Sequence, residues 1–201
     1  PFGHLDPKNI YNPTRDYALK IANFCKKNKI KFIFPSSCSV YGASNLTEML
    51  SEQSDVNPQT FYSKNKLEIE KGLDEMSGNG FSPIALRLAT VYGMSPRIRF
   101  DVVINMLVAM AKTTNKIKLN SNGLAWRPNL YIDDACEAFY QSIITVFDNN
   151  ILNIINIGRD EDNLKIIDIA NLIKKEIPGS EILFLNATKD NSNNLFKDKK
   201  I

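Results

Sequence analysis

Short apolar runs alternate with longer segments of helical periodicity along the 201 residues of this chain. In the longer segments the apolar residues recur every three or four positions, whereas the short runs are rich in β-branched and aromatic residues. Helices are predicted over residues 13–28, 61–76, 100–112, 133–144 and 166–177, and strands over residues 30–35, 83–88, 117–119, 151–157 and 181–185. This alternation predicts an α/β fold whose parallel sheet is buried on both faces.

Local signals set several of these boundaries. Asn12-Pro13-Thr14 predicts the start of the first helix, because Asn and Thr side chains cap helix amides and proline is tolerated in the first turn. Residues 78–80, Gly-Asn-Gly, predict the end of the second helix, and the polar residues 43–57 predict a loop. The fourth helix is expected to begin at Asp133 or Asp134. One side of it carries Ala135, Ala138, Phe139, Ile143 and Ile144.

A hydroxyl, a phenol and an ammonium group stand where these elements can bring them together. Ser37 follows the first predicted strand, and Tyr62 and Lys66 lie one turn apart on the second helix, so they face the same way. A free tyrosine titrates near ~10, and a nearby ammonium group favours the phenolate. The trio therefore predicts a general base with a lowered pKa, suited to moving a proton together with a hydride. Each residue alone has an ordinary structural explanation.

Four segments, in this order, resemble the successive signatures of one family. They are Ser36–Gly42 (SSCSVYG), Asn57–Lys66 (NPQTFYSKNK), Leu86–Gly93 (LRLATVYG) and Trp126–Ala135 (WRPNLYIDDA). Together they resemble the extended short-chain dehydrogenase/reductases, specifically the NAD-dependent nucleotide-sugar epimerase/dehydratase group. A Tyr-x-x-x-Lys pentapeptide alone occurs by chance, but four ordered motifs are specific.

The resemblance implies a Rossmann-like parallel sheet that lacks its N-terminal strands here, followed by a small C-terminal α/β substrate-binding region. Residues 1–93 would form the C-terminal part of the NAD-binding domain and carry the catalytic residues. Residues 94–201 would form mainly the substrate-binding region, with some segments returning to the sheet. The helices at 13–28 and 61–76 would pair across a homodimer axis as a four-helix bundle.

The resemblance also assigns roles. Tyr62 would be the acid/base, Lys66 its electrostatic partner and a contact to the nicotinamide ribose, and Ser37 the donor that positions the reacting oxygen. Ser36 and Leu88 would add contacts to the cofactor. That cofactor is expected to be NAD, with NADP as the alternative.

Substrate contacts are expected from Ser37, Thr90, Arg99 and Arg127. Arg127 resembles the arginine that grips the substrate diphosphate, a task suited to a bidentate guanidinium, although a salt bridge at a helix end is the alternative. Thr90 stands where many relatives have asparagine. Arg99, with the neighbouring Arg97, adds positive charge near the phosphates or else pairs with Asp101.

Cys38 and Ser39 occupy positions that are typically acidic in the family's 4,6-dehydratases. Neither side chain can deliver a carboxyl proton, which favours an epimerase over a dehydratase. A nucleotide-sugar 4,6-dehydratase or a 4-keto reductase remains the enzymatic alternative, and a non-catalytic nucleotide-sensing protein is the alternative of another class. Ser192 stands where a further phosphate-binding arginine is expected.

The chain has nine glycines, and none of them form the Gly-x-x-Gly-x-x-Gly turn that receives the cofactor diphosphate in the family. The first third of the domain is therefore expected to lie outside this chain, which begins at Pro1. Weak or absent binding of NAD by the chain alone follows as an expectation.

Composition excludes several classes of partner. A net charge of +3 without a basic stripe interleaved with aromatics predicts no nucleic-acid partner. Cys25, Cys38 and Cys136 are odd in number and far apart, which argues against disulfides and zinc and fits a reducing cytoplasm. The single histidine, His4, has no partners at ligand spacing, so no metal is expected. No apolar run approaches the ~20 residues that span a bilayer, so no membrane partner is expected.

Overall fold

A computed structural model describes residues 6–42, 49–147 and 150–185 of the chain. The helices are α1 (Pro7–Lys27), α2 (Phe61–Met76), α3 (Val103–Thr114), α4 (Ile132–Ile144) and α5 (Ile166–Glu176). The strands are β1 (Ile33–Ser37), β2 (Ile84–Leu88), β3 (Thr90–Tyr92), β4 (Lys116–Leu119), β5 (Trp126–Tyr131), β6 (Asn153–Ile157), β7 (Asn163–Lys165) and β8 (Glu181–Phe184). Short 3₁₀ helices cover Cys38–Tyr41 and Asp160–Asp162.

The central sheet has the order β1-β2-β6, and both pairs are parallel. Ser37 is the register partner of Leu88, and Leu88 is that of Ile157, so the carboxyl ends of the three strands meet at one edge. This confirms the predicted α/β fold with a parallel sheet. A second sheet has the order β3-β5-β7, with β3 parallel and β7 antiparallel to β5, while β4 pairs with β8.

Apolar side chains cover both faces of the central sheet. Helices α1 and α2 contribute Ala22, Ile69 and Leu73 to the cluster on one face, where they meet Ala85 of β2. On the other face Leu86, the next residue of β2, belongs to the cluster that contains residues of α4. Successive side chains of a strand point to opposite faces, and full burial of each leucine or isoleucine contributes roughly 1.5–3 kcal/mol. This double burial explains why apolar residues occur on both faces of the strands.

The start of α1 differs from the prediction at Asn12-Pro13-Thr14, which was wrong. The helix begins at Pro7, with Asp6 as its N-cap: the Asp6 side chain accepts a hydrogen bond of 3.3 Å from the Asn9 amide. Pro13 lies inside the helix, where it cannot donate to the carbonyl of Asn9. Asn9 is exposed, so water can satisfy that carbonyl and the loss is tolerated.

Two further predictions were corrected by the structure. Ile143 and Ile144 do not belong to the packed side of α4, since they are 59% and 55% exposed, while Ala135 and Ala138 are buried. The first strand begins at Ile33 rather than at residue 30, because the chain is still closing α1 there. The Ile30 amide donates to the carbonyl of Cys25 over 2.9 Å.

The strands β3, β5 and β7 were not predicted, because they are short or carry polar residues and, in β5, Pro128. Within the predicted loop 43–57, residues 43–48 lie outside the described residues, as do His4 and Ser192. Among the helices that the structure describes, none combines the length and the hydropathy needed to cross a bilayer.

Candidate active site

A cleft of about 910 Å³ lies at the carboxyl ends of β1 and β2. This edge of a parallel sheet is where α/β proteins bind ligands. The cleft is bordered by all eight residues that the sequence assigned to the site, namely Ser36, Ser37, Tyr62, Lys66, Leu88, Thr90, Arg99 and Arg127. The structure therefore brings the predicted residues into one cavity.

Ser37 and Tyr62 are held at the cleft by the ends of two elements. Ser37 ends β1 and caps the following 3₁₀ helix, because its Oγ accepts a hydrogen bond of 3.2 Å from the Ser39 amide. Tyr62 lies in the first turn of α2, which a capping box fixes: Thr60 Oγ1 accepts from the Ser63 amide and Ser63 Oγ from the Thr60 amide. The Ser37 hydroxyl lies close enough to the Tyr62 phenol to lower its pKa.

The pKa of the Tyr62 phenol is raised, chiefly by burial, and the hydrogen bond with Ser37 only partly opposes this. The predicted lowering of this pKa by the ammonium of Lys66 was wrong for the structure as it stands. Tyr62 is nevertheless 42% exposed, because its ring forms part of the wall of an open cleft. Water reaches that wall, so the desolvation is weaker than in an enclosed core.

Lys66 explains why the predicted lowering fails. Its Nζ donates a hydrogen bond of 2.6 Å to the carbonyl of Pro35 and lies 4.7 Å from the centre of the Phe34 ring. The same nitrogen is 5.6 Å from the centre of the Tyr62 ring. Burial lowers the pKa of Lys66, and the carboxylate of Glu70 opposes that shift. The ammonium is thus anchored to β1 and stands beside the phenol without a hydrogen bond to it in the structure.

The two further residues assigned to the cofactor differ in what they offer to a ligand. Leu88 ends β2 directly beside Ser37. Ser36 borders the cleft, but it is only 3% exposed and its hydroxyl donates to Glu70 Oε1 over 2.5 Å. Its side chain is therefore engaged inside the protein.

Besides Ser37, the residues assigned to the substrate that line the cleft are Thr90, Arg99 and Arg127. Thr90 and Arg127 come from the paired strands β3 and β5, and Arg127 Nη1 donates to the carbonyl of Trp126 over 2.8 Å. Arg99 makes a bidentate pair with Asp101, with distances of 3.0 and 2.7 Å. The pairing alternative for Arg99 is therefore realised, although 71% of its side chain remains exposed.

Proton donors in the cleft are limited. Burial is the main reason why the pKa of the Cys38 thiol rises to about 12, so the thiol stays protonated at neutral pH. Among the described residues that line the cleft, Asp101 carries the one carboxylate, and its hydrogen bonds with Arg99 hold its pKa below the usual value. An ionised Asp101 can accept a proton but has none to give.

Sequence reasoning missed Asn105 and Asn65. Asn105 Oδ1 accepts from the Gly93 amide at 3.1 Å, and its Nδ2 donates to the Arg99 carbonyl at 2.9 Å, which fixes the loop that carries Arg99. Asn65 is buried and donates to the carbonyl of Tyr11, a further cleft residue, over 2.7 Å. The available signal was a polar residue interrupting an apolar run, as Asn105 does in α3.

Comparisons with known proteins place the chain in a family and a fold. A model of the NAD dependent epimerase/dehydratase family matches residues 3–158. TunA, an NAD dependent NDP-hexosamine 5,6-dehydratase involved in tunicamycin biosynthesis, has a TM-score of 0.80 at 20% identity, over 99% of this chain and 64% of that one. UDP-glucuronic acid 4-epimerase from Bacillus cereus, in complex with UDP-glucuronic acid and NAD, has a TM-score of 0.75 at 27% identity, over 90% and 57%.

UDP-N-acetylglucosamine 4-epimerase from Bacillus cereus gives a TM-score of 0.74 at 23% identity, over 91% of this chain and 61% of that one. The chain therefore spans less than two thirds of the length of each of these structures. It shares their Rossmann-like α/β fold. The match over residues 3–158 shows that the chain belongs to the NAD dependent epimerase/dehydratase family.

Proposed function

We propose that the protein is an NAD-dependent nucleotide-sugar epimerase that inverts a sugar carbon by transient oxidation of its hydroxyl. The observation that carries the proposal is that Tyr62 and Ser37 line one cleft close to each other, with Lys66 one turn further along α2. With a sugar bound in the cleft, the phenolate of Tyr62 would accept a proton from the same oxygen to which Ser37 donates a hydrogen bond.

In the proposed reaction Tyr62 removes the proton of the sugar hydroxyl and later returns it, and Ser37 holds the reacting oxygen. Lys66 supplies positive charge beside the phenol. Together with Ser36 and Leu88 it also borders the expected position of the cofactor, at the ends of β1 and β2. NAD would supply reversible acceptance of the hydride at that position. The cleft fits such a ligand, because its wall combines an ammonium group with the carboxyl ends of parallel strands.

For the substrate we propose a nucleoside diphosphate sugar. Arg127 and Arg99 bring two guanidinium groups to the cleft, and guanidinium groups suit diphosphate oxygens. Thr90 adds a hydroxyl for the sugar. Arg99 must exchange its pairing with Asp101 for the substrate, which its exposed position allows.

A dehydratase is less well supported than an epimerase. Elimination of water needs a second acid, whereas Cys38 and Ser39 carry no carboxyl group and Asp101 is held ionised. A 4-keto reductase needs the same groups as an epimerase, and only the products distinguish the two.

The experiment uses the full-length polypeptide, including any residues beyond Pro1 and Ile201, with NAD and a panel of UDP-, GDP-, CDP- and dTDP-sugars. Epimeric products from wild type, with turnover reduced by a factor on the order of 10²–10⁴ in Tyr62→Phe, support the proposal. Unchanged turnover in Tyr62→Phe ends it. Binding of a nucleotide sugar without turnover in wild type favours the non-catalytic alternative.

We also propose a homodimer formed through α1 and α2. The two helices pack together, and Tyr17, Phe24 and Phe61 leave large apolar side chains exposed at 67%, 58% and 47%. An apolar helix face of this kind suits a second copy of the same pair of helices. Sedimentation of wild type and Tyr17→Glu/Phe24→Glu tests this, with a dimer expected for wild type and a monomer for the variant.

A further inference from the structure

A row of buried polar residues crosses the central sheet just below the ends that carry the cleft. Ser36 of β1, Arg87 of β2 and Asn156 of β6 are register partners, so their side chains point to the same face. They are 3%, 3% and 0% exposed. Each stands one position before the last residue of its strand. A buried polar group is costly unless it is hydrogen-bonded, so this row requires partners.

Glu70 of α2 supplies the first partner. It is 2% exposed, and its two carboxylate oxygens accept hydrogen bonds of 3.1 and 2.7 Å from Nε and Nη2 of Arg87. Oε1 also accepts from the Ser36 hydroxyl. A bidentate pair of this kind fixes orientation as well as distance. Glu70 therefore joins α2 to β1 and β2 at once.

Tyr41 supplies the second partner, from the 3₁₀ helix that directly follows Ser37. Nη1 of Arg87 donates to the Tyr41 oxygen over 2.9 Å, and the Tyr41 hydroxyl donates to Asn156 Oδ1 over 2.7 Å. The network thus runs from Glu70 of α2 through Arg87 of β2. It includes Ser36 and Tyr41, which precede and follow Ser37 in the chain.

We propose that the Glu70–Arg87 pair, together with the Ser36–Glu70 hydrogen bond, fixes the position of α2 against β2 and β1. It thereby keeps the phenol of Tyr62 at the hydroxyl of Ser37. Glu70 lies one turn beyond Lys66 and two turns beyond Tyr62, so the three residues share one side of α2. Holding Glu70 in place therefore also holds the side of α2 that faces the cleft. Glu70 and Arg87 are positioning residues in this account, which rests on the proposed function for its consequence in catalysis.

The effect of losing the Glu70–Arg87 pair can be estimated from helix geometry. A rotation of α2 by about 20° moves a group about 6 Å from its axis by about 2 Å. A misplacement of 1 Å can cost a factor of about 100 in rate. Stability alone does not account for the pair, because a buried ion pair is often no more stabilising than apolar side chains of the same volume.

The decisive variant is Arg87→Lys, which keeps the charge and loses the two-pronged contact. In the full-length polypeptide with NAD and its sugar nucleotide, we expect kcat to fall about 100-fold with KM unchanged, at a temperature where the variant is fully folded. Because the net charge is the same, an altered pKa of Tyr62 in this variant reports movement of the phenol. That pKa is followed by NMR of ring-labelled tyrosine, with Tyr62→Phe as the assignment.

The matched control is Glu68→Gln on the same helix. Glu68 makes an exposed ion pair with Arg15 at 3.0 Å, which also joins α2 to a neighbouring element but not to the sheet. We expect this variant to keep wild-type kcat. The variant Ser36→Ala/Glu70→Met/Arg87→Met removes the network without leaving an unpaired charge, and we expect it to fold while remaining about 100-fold slow.

Wild-type kcat in the folded triple variant, or an unchanged kcat and Tyr62 pKa in Arg87→Lys, overturns the proposal. Equal losses in Glu68→Gln and Arg87→Lys overturn it as well, because any disturbance of α2 would then suffice. Absence of turnover in wild type contradicts the proposed function instead. In that case the Tyr62 pKa in Arg87→Lys still decides whether the pair positions the phenol: a shift supports the proposal, and no shift rejects it.

Discussion

The ammonium of Lys66 donates a hydrogen bond of 2.6 Å to the carbonyl oxygen of Pro35, the residue two positions before Ser37. One contact therefore ties the face of α2 that carries Tyr62 and Lys66 to the strand that ends at the cleft. The ammonium makes no hydrogen bond to the Tyr62 phenol in the structure, and the pKa of that phenol is set mainly by burial. The ammonium of Lys66 therefore stands beside the phenol, but its hydrogen bond is to the carbonyl of Pro35.

The first prediction concerns the titration of Tyr62 in the protein without ligands. Burial disfavours the phenolate, so we expect Tyr62 to titrate above the ~10 of a free tyrosine. The hydrogen bond with Ser37 lowers this pKa, so Ser37→Ala is expected to raise it further. The difference in ultraviolet absorbance between each protein and its Tyr62→Phe counterpart gives the titration. A pKa that falls in Ser37→Ala would contradict the contact between the two residues.

The same shift has a consequence for stability. The pKa values of Tyr41, Tyr62 and Tyr92 are all raised, in each case mainly by burial. The folded protein therefore retains protons that the unfolded chain loses near pH ~10, and stability is present below that pH and is lost as pH rises through the folded values. We expect urea midpoints to fall progressively above pH ~9, and Tyr41→Phe to weaken this dependence. A flat profile would mean that these phenols are solvated.

How much of this could be read from the sequence depends on the range of the interaction. The boundaries of α2 were predicted correctly, because Thr60 and Gly78 are local signals. The start of α1 was predicted wrongly, because Asn12-Pro13-Thr14 resembles a helix start. Whether Pro13 is tolerated inside a helix depends on the surroundings of the Asn9 carbonyl, which the sequence does not show. The convergence of residues on one cleft followed from strand ends meeting at one edge. The direction of the pKa shift of Tyr62 could not be predicted from the sequence. It depends on how deeply the phenol is buried, and the spacing of residues along the chain does not show that.

Lys66 and Lys64 offer a matched pair on one helix. Lys66 borders the cleft, whereas Lys64 is exposed and lies outside the cleft lining. In the full-length polypeptide we expect Lys66→Met to reduce kcat by a factor on the order of 10² or more, and Lys64→Met to leave it unchanged. Steady-state kinetics at saturating substrate provide the measurement. A similar loss in both variants would indicate a general effect on α2 rather than a role for this ammonium group.

The cysteines provide a test of the cleft's electrostatics that needs no substrate. Cys38 is buried and has a pKa raised to about 12, whereas Cys136 is exposed. Alkylation requires the thiolate, so iodoacetamide at pH ~8 is expected to modify Cys136 and to leave Cys38 intact. Peptide mass spectrometry after brief treatment reads the sites, and urea-unfolded protein is the control in which all three cysteines react. Rapid modification of Cys38 in the folded protein would show that its thiol is neither buried nor held protonated.

Gly42 ends the first signature segment, and here only glycine fits for two separable reasons. Its φ of 71° and ψ of −151° lie in a region that essentially only glycine adopts, and a Cβ at this position would stand 1.9 Å from the carbonyl oxygen of Asn57. Gly179 has a φ of 90° but no atom within 4 Å of such a Cβ, so Gly179→Ala measures the conformational cost alone. That variant is expected to lose about 1 kcal/mol, the usual cost of a residue in this region of backbone space. Gly42→Ala must also displace the chain at Asn57, so we expect a clearly larger loss in denaturant unfolding. Equal losses in the two variants would mean that the contact with Asn57 yields without cost.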